Sequence, residues 1–539
     1  MNNLKLWLFF FAQSSAAILH GQDTVGKTQL TPEKREQHIQ AALQLRKQEN
    51  YTGAIRQLDS ILAKQPADAP VMLFKGDLKL QAALFKEAAE TYKALLPLGY
   101  ESTIAEINLS YALFMNHQPA KALHHARAAW QKNKTNTNAI VNYFNAQLWN
   151  IQTKKAGEFL QQQQHLLAPP QVLVLQARLH TTNGNYNKGL HFYDSLVNSY
   201  PDKYYLQEYA EVLLGKKEMD KAASTMQGGK HYFSNSEYNA FTQKLKAARL
   251  QNAGYEFVYF KDVAKNIRIE NVLWWQQGEG RVYRPGVRAG NASISSAGKD
   301  KTNTQFVHLV VAERWSKAWS GQTDVHLQRV QPAGGKGFTG VTGRQLVQYQ
   351  PTDHRMFGLS YQADILNFTA SLLQKNIRSN SLGYVTHIML TGKTGFFSQG
   401  NWAVLSDNNQ SRQFFGSVYH LIRTEPTIKA GINFSALHYA DSSIKTYFSP
   451  NRYLSSEVFA DYSTALPTIS KFYLQMQGGA GMQKIEDQQW DPALRFQIEL
   501  GMRRNHLEAS LKYQTSNVAA ASGAGYKFNW FTFRVMWKW

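Results

Sequence analysis

Sixteen histidines are the first place to look for acid–base or metal chemistry in this chain. His124 and His125 stand side by side in a helical stretch with no partnered carboxylate motif, and His38, His308, His326 and His506 are isolated. Glu486, Asp487 and Asp491 read either as a carboxylate pair or as solvated loop charges. No HExxH, GxSxG or phosphate-cradling glycine loop occurs. Cysteine is absent altogether, which excludes disulfides, thiolate metal sites and a cysteine nucleophile. These patterns point away from an enzyme, and none of them calls for a metal or a cofactor.

Binding chemistry is better represented. Two segments combine forked donors with aromatic faces: LSDNNQSR (Leu405 to Arg412) and YFSPNRYLSSEVFADYS (Tyr447 to Ser463). Arg412 and Arg452 can donate to hydroxyls in parallel, and Tyr447, Phe448 and Tyr453 offer flat apolar surfaces. That combination holds sugar polymers. The same residues have a plainer reading: Ser449-Pro450-Asn451 is a turn sequence, and the aromatics suit a membrane interface. Trp274-Trp275, Trp315 and Trp319 carry the same two readings, girdle or sugar platform.

The elements that would position these groups alternate with a period of two beyond Gly254. Ile428, Ala430, Ile432, Phe434 and Ala436 interleave with Lys429, Gly431, Asn433 and Ser435. Phe496, Ile498, Leu500 and Met502 interleave with polar neighbours, and Leu507 to Gln514 does the same. Strand side chains alternate faces, so each run is greasy on one side and wet on the other. The ending YKFNWFTFRVMWKW follows suit: Phe531, Phe533, Val535, Trp537 and Trp539 against Thr532, Arg534, Met536 and Lys538. Bacterial outer-membrane barrels resemble this ending, and the resemblance implies that Phe533, Val535, Trp537 and Trp539 are read by the insertion machinery. Residues 254–539 suffice for about sixteen membrane strands, with twelve to fourteen as the alternative. The polar positions collect Arg495, Arg503, Lys512, Arg534 and Lys538, which predicts a basic lumen lining unless Glu499 and Glu508 cancel it.

The first half has a different period. Ala54, Ala88, Ala122, Ala156, Gly189 and Ala222 recur every 33 or 34 residues, and twelve residues before each stands Ala42, Gly76, Ser110, Phe144, Ala177 or Ala210. Small residues at these points let two helices cross closely. The pattern resembles the tetratricopeptide repeat, two antiparallel helices per unit, whose units stack into an α-solenoid with a concave surface. About six units and a capping helix fill residues 31–251. Phe144 breaks the small-residue series and predicts a splayed or repacked fourth unit. The repeats predict a groove for a periplasmic partner, or a spacer.

Residues 1–22 read as a secretory signal peptide: Lys5, a short apolar stretch, then small residues. Without a cysteine near the start, a lipid anchor is excluded. The net charge of +21 is spread over both halves. With an export signal it suits anionic glycans, lipopolysaccharide phosphates or simple solubility, and not nucleic acid.

Repeats, barrel and the two motifs together resemble the exopolysaccharide export porins: the outer-membrane subunit of cellulose synthase and the poly-N-acetylglucosamine exporter. Those carry a stretch like "SDgNxR" and, further on, "YFSPxxY". The resemblance implies a porin passively exporting a secreted polysaccharide, in the bacterial outer membrane with its repeats in the periplasm. On this reading the polymer path includes Ser406, Asp407, Asn408, Arg412, Tyr447, Phe448, Ser449, Pro450, Arg452 and Tyr453. The repeats would dock the polymer, a periplasmic protein or an inner-membrane synthase complex. This chain departs from those exporters in its shorter repeat array and in Asn409, which replaces glycine-like flexibility at the first motif's turn. The alternative is an interaction scaffold that the barrel only anchors, in a surface assembly or secretion machine.

Overall fold

Six residues with left-handed backbone, Glu49, Ala83, His117, Ile151, Gly184 and Lys217, recur at the repeat period, with φ between 57° and 73°. Each ends the first helix of a hairpin. The computed structural model describes residues 30–296, 300–444, 446–466, 471–504, 506–518 and 527–539; the expected signal peptide lies outside them. The hairpins are α1 (Pro32–Lys47) with α2 (Tyr51–Leu62), α3 (Ala69–Gln81) with α4 (Phe85–Leu95), and α5 (Ser102–Met115) with α6 (Pro119–Lys132). Then come α7 (Thr137–Trp149) with α8 (Thr153–Gln163), α9 (Pro169–Thr182) with α10 (Tyr186–Ser199), and α11 (Lys203–Gly215) with α12 (Met219–Gly228). A last helix, α13 (Asn235–Ala248), follows.

At every one of the six turns the residue after the left-handed one returns a hydrogen bond to a carbonyl of the helix's last turn, as in Asn50 N to Leu45 O at 2.9 Å and Gln152 N to Gln147 O at 2.9 Å. This closes the otherwise orphaned carbonyls of a helix end. Helix starts are set by side-chain caps: Asn50 Oδ1 accepts from Gly53 N, Asp68 Oδ1 from Val71 N and Asn136 Oδ1 from Ala139 N. Ala42, Ala54, Ala88, Ala122, Ala156, Ala177, Ala210 and Ala222 are fully buried at the helix crossings. At Gly76 an added Cβ would come within 2.6 Å of the Tyr92 ring. Phe144 is also fully buried. Beside it in the chain, Tyr143 joins Trp130 and Phe159 in an aromatic trio with centroids 5.0–5.4 Å apart. The repeats form a tetratricopeptide α-solenoid.

Polar groups also cross the repeats. Arg178 on α9, 1% exposed, donates through Nε and an NH2 group to both oxygens of Glu208 on α11 at 2.8 and 2.7 Å. Its other NH group reaches Asn145 Oδ1 on α7 at 3.1 Å, and the Tyr193 hydroxyl on α10 donates to Glu208 at 2.7 Å. One buried carboxylate is thereby satisfied by donors from two helices.

In the second unit, sixteen antiparallel strands among the described residues close into a barrel, neighbours in sequence being neighbours in space. They are β1 (Asn252–Asp262), β2 (Ile267–Gln276), β3 (Tyr283–Ser296), β4 (Asp300–Arg314), β5 (Trp319–Pro332) and β6 (Phe338–Thr352). β7 (Arg355–Ile365), β8 (Arg378–Met389), β9 (Thr394–Leu405), β10 (Gln410–Arg423) and β11 (Thr427–Tyr439) follow. The wall is completed by β12 (Tyr453–Ala465), β13 (Phe472–Ile485), β14 (Asp491–Arg504), β15 (Leu507–Ser516) and β16 (Phe528–Lys538). β16 closes on β1 with Phe257 opposite Phe533 and Glu256 opposite Arg534. No helix among the described residues is long and apolar enough to cross a membrane.

One wall face is apolar and exposed, with Leu273, Val341, Leu359 and Val458 each more than 60% exposed. Without water to hydrogen-bond, only a closed barrel presents such a face to lipid. Trp319 and Tyr349 (centroids 4.7 Å apart), Tyr283 and Trp537 ring that face at the end where β1 begins and β16 finishes, as in interface girdles. At that end consecutive strands are separated by at most six residues, whereas at the opposite end β7 and β8, β11 and β12, and β15 and β16 are separated by eleven to thirteen.

Candidate functional site

Register assigns the other face to the lumen. Arg495, Arg503, Lys512, Arg534 and Lys538 all share it, through the pairings Gly501↔Tyr473, Glu499↔Lys512, Ser510↔Arg534 and Asn252↔Lys538. Phe533, Val535 and Trp537 alternate outward, and the backbone of Trp539 pairs with Gln251.

The lumen charges are matched, not simply basic. Arg288 lies 3.3 Å from Glu256, Arg268 2.6 Å from Glu270, Lys429 2.7 Å from Asp461, Arg495 3.5 Å from Glu457 and Arg503 3.2 Å from Glu508. Of the five basic residues expected there, Arg495 and Arg503 have carboxylates within ion-pair distance, Glu457 from two strands away and Glu508 from the neighbouring strand. A charge facing a water-filled lumen costs little, whereas on the lipid face it would cost several kcal/mol.

Aromatic rings are threaded through the same face. Arg534 lies 4.8 Å over the Trp274 ring, Arg503 4.5 Å over Tyr473 and Lys429 4.9 Å over Tyr419. The Tyr419 hydroxyl sits 2.6 Å from His387 Nε2. Trp274 therefore lines the lumen while Trp275 faces out, its Nε1 donating to Gln251; Trp319 belongs to the girdle. His387, Tyr419, Lys429 and Tyr473 are absent from the residues singled out by motif. Their signal was parity, since Lys429 and Tyr473 alternate with apolar neighbours.

At the end opposite the girdle, loops fold inward. The segment after β7 carries a short helix, α14 (Ala370–Gln374). Its Ala370 and Leu373 pack on Ile294, Val330 and Phe338 from the lumen face of β3, β5 and β6. Ala370 N donates to Ser296 Oγ at 3.0 Å, and Gln374 Nε2 to Thr302 Oγ1 at 3.1 Å. Leu372 packs with Ile377, Ala403, Leu405 and Tyr447, bringing in the loop after β11. Lys375 Nζ reaches Thr446 Oγ1 at 2.9 Å.

The two motifs meet here. Asn408 takes the left-handed position of the turn, at φ 68°. Asn409 is the hub: 1% exposed, it donates from Nδ2 to the Asp441 carbonyl at 2.9 Å and to the Tyr447 hydroxyl at 3.0 Å. Its Oδ1 accepts from Gln410 N and Asp441 N. Tyr447 in turn donates to Asp407 at 2.9 Å. Ser406 exchanges hydrogen bonds with the Arg378 backbone, and Ser449 donates to the Ile444 carbonyl at 2.6 Å. The Pro450 carbonyl accepts from Tyr439 N. Phe448 stands edge-on to Tyr453, whose hydroxyl donates to Gln483 at 3.2 Å. These residues tie loops together. Asn409, in place of a flexible glycine, is their anchor.

Arg412 and Arg452 are not brought into that cluster. Arg412 pairs in register with Trp402 on the outward face, and Arg452 reaches Asp487 at 3.2 Å in an exposed ion pair. With His438 and Glu486 they line a cleft of about 630 Å³ at the rim. Turn geometry decides this: two residues after Gln410, the side chain of Arg412 falls on the outward parity of β10.

Comparison with known families addresses this half of the chain. Residues 376–537 match the family model for the C-terminus of cellulose synthase operon protein C. The match runs from β8 to β16 and includes both motifs. A search of curated proteins found no match. Among solved structures, the barrel is similar to one titled as a bacterial polysaccharide outer membrane secretin, at 11% identity and TM-score 0.45, covering 54% of this chain and 99% of that one. OccK5 (OpdH) of Pseudomonas aeruginosa is similar at 11% identity and TM-score 0.31, covering 54% and 97%. A thermophilic TPR protein of Thermus thermophilus is similar at 19% identity and TM-score 0.29, covering 33% and 99%.

Proposed function

We propose that this protein is an outer-membrane pore for the export of a secreted polysaccharide, with its tetratricopeptide array in the periplasm. The observation that carries this reading is the lumen wall: ion pairs and inward aromatic rings along one continuous face, of which β8 to β16 lie in the segment that matches the cellulose synthase operon family. Wide barrels leave a wet lumen, and a wall of ion pairs and rings exchanges hydrogen bonds with hydroxyls without holding them by net charge. Short turns at the girdled end and long loops at the other fit the periplasmic and extracellular sides of such barrels. Transport on this reading is passive, the push coming from synthesis elsewhere. The repeats receive the polymer or dock a periplasmic protein or the inner-membrane synthase complex.

Deleting the gene and measuring surface polysaccharide tests this directly. Export is expected to fall and to return on complementation; undiminished secretion would refute the reading. The inward loop with α14 favours a second reading, in which the barrel is a closed anchor for a periplasmic scaffold. An anchor passes no current in a planar bilayer under any condition, whereas an export pore conducts once its loops move.

A further inference from the structure

Below α14 the lumen wall holds a recess of about 170 Å³. Arg268 and Glu270 of β2, Arg288 of β3, Phe306 of β4 and His326 and Gln328 of β5 contribute to its lining, and Leu373 of α14 covers it. We infer that this recess is a binding subsite for one uncharged sugar ring of the exported chain, an assignment that rests on the export reading and narrows it to a neutral polysaccharide.

Size comes first. Pockets for drug-sized ligands run to about 300–1,000 Å³, so this one takes a single ring and not a folded oligomer. Charge comes second. Arg268 is held twice by one oxygen of Glu270, at 2.9 and 2.6 Å; Arg288 has Glu256 at 3.3 Å; His308, at the edge, has Asp324 at 3.7 Å. An anionic sugar would have to displace these carboxylates or face them. A neutral sugar meets fixed donors and acceptors side by side, the complement of a hydroxyl that both gives and takes a hydrogen bond.

Two further groups suit such a ring. His326 Nε2 is enclosed and has no hydrogen-bond partner in the protein. Buried polar atoms are nearly always satisfied, and a sugar hydroxyl seated in the recess would supply the partner that the protein does not. Phe306 stands edge-on to His326, centroids 5.3 Å apart at 89°, and supplies the apolar surface for the carbon side of a ring. No motif flagged either residue.

The test is calorimetric titration of the full-length protein in detergent with cellohexaose, and with hexagalacturonate as an anionic probe of equal length. Cellohexaose is expected to bind, Phe306→Ala and His326→Ala each to weaken it tenfold or more, and His326→Gln to restore part of the loss. Outward-facing Leu327→Ala should bind as wild type. Heat-modifiable migration on gels checks that each variant is a folded barrel. Failure of wild type to bind cellohexaose, binding unaffected by both inward substitutions, or tighter binding of hexagalacturonate would each overturn the assignment. The deletion strain separates the two ideas. If secretion persists there, the export reading falls; if secretion is lost while the Phe306→Ala protein binds like wild type, only the subsite falls.

Discussion

Asn409 and Tyr447, separated by 38 positions in the chain, meet at 3.0 Å in the loop-filled end of the barrel, and the same hydroxyl donates to Asp407 at 2.9 Å. Three groups from two loops share one phenol oxygen. Burial pushes that hydroxyl well above its ordinary value; Asp407 pushes the same way, and Asn409 offsets part of it.

The first prediction concerns this junction. Tyr447→Phe removes the donor to Asp407 and the acceptor for Asn409. Leaving buried polar groups unsatisfied costs about 1–3 kcal/mol. The inward loop should then be released more often, and the open fraction in single-channel recordings should rise about tenfold. The pH dependence follows from the sign. A tyrosine pKa raised by folding contributes stability that is intact below about 10 and is lost only as pH climbs through the higher folded value. Currents of wild type should therefore be steady across neutral and mildly alkaline pH; a transition below pH 9 would contradict the assignment.

A second prediction tests the register of the wall. Phe533 faces lipid and Thr532 faces the lumen, one residue apart. Phe533→Lys is expected to destabilise the inserted barrel by about 2–4 kcal/mol if it lies near the bilayer centre, and Thr532→Lys by far less. Urea titration in phospholipid vesicles measures both. Equal effects would mean the parity is assigned to the wrong faces.

The solenoid offers a third. Arg178→Ala leaves Glu208 buried without its bidentate partner, which typically costs about 3–5 kcal/mol. Replacing both together, Arg178→Met with Glu208→Leu, should recover much of the loss. Helical melting followed by circular dichroism at 222 nm distinguishes these outcomes. A small effect of the single change would show that the network is not shielded from water.

Ile151 carries the fourth. It is a β-branched residue in left-handed backbone, φ 57°, where a side chain costs about 1–2 kcal/mol. Gly184 fills the equivalent place one repeat later. Ile151→Gly should raise helical stability by about 1 kcal/mol, part of the relief being lost to the freer unfolded chain. A lower melting temperature would show that the isoleucine side chain contributes packing that outweighs its strain.

Much of the fold was legible because period is local. Ala54 to Ala222 marked the helix crossings, and alternation around Lys429 or Arg495 marked wall faces, since neither needs distant information. The charge balance was legible only in part: Glu508, named from the sequence as a counter-charge, meets Arg503, but Arg495 meets Glu457, two strands away, only once the wall is laid out in order. Nor was the junction of Asn409 with Tyr447, which depends on two loops turning inward. Trp274 and Trp275 could not be told apart by composition, yet one residue of parity sends them to opposite sides. Arg412 read as a sugar-binding donor by its motif, but the turn at Asn408 sets it on the outer face.

The matched charges of the lumen have a mechanical consequence. For a polymer exported as proposed, a wall on which many charges are already ion-paired offers many weak grips and no strong one. Friction stays low and even, and nothing in such a wall favours one direction of travel over the other. On the export reading, directionality is then imposed at the ends: by whatever feeds the chain in, and by the loops that let it out.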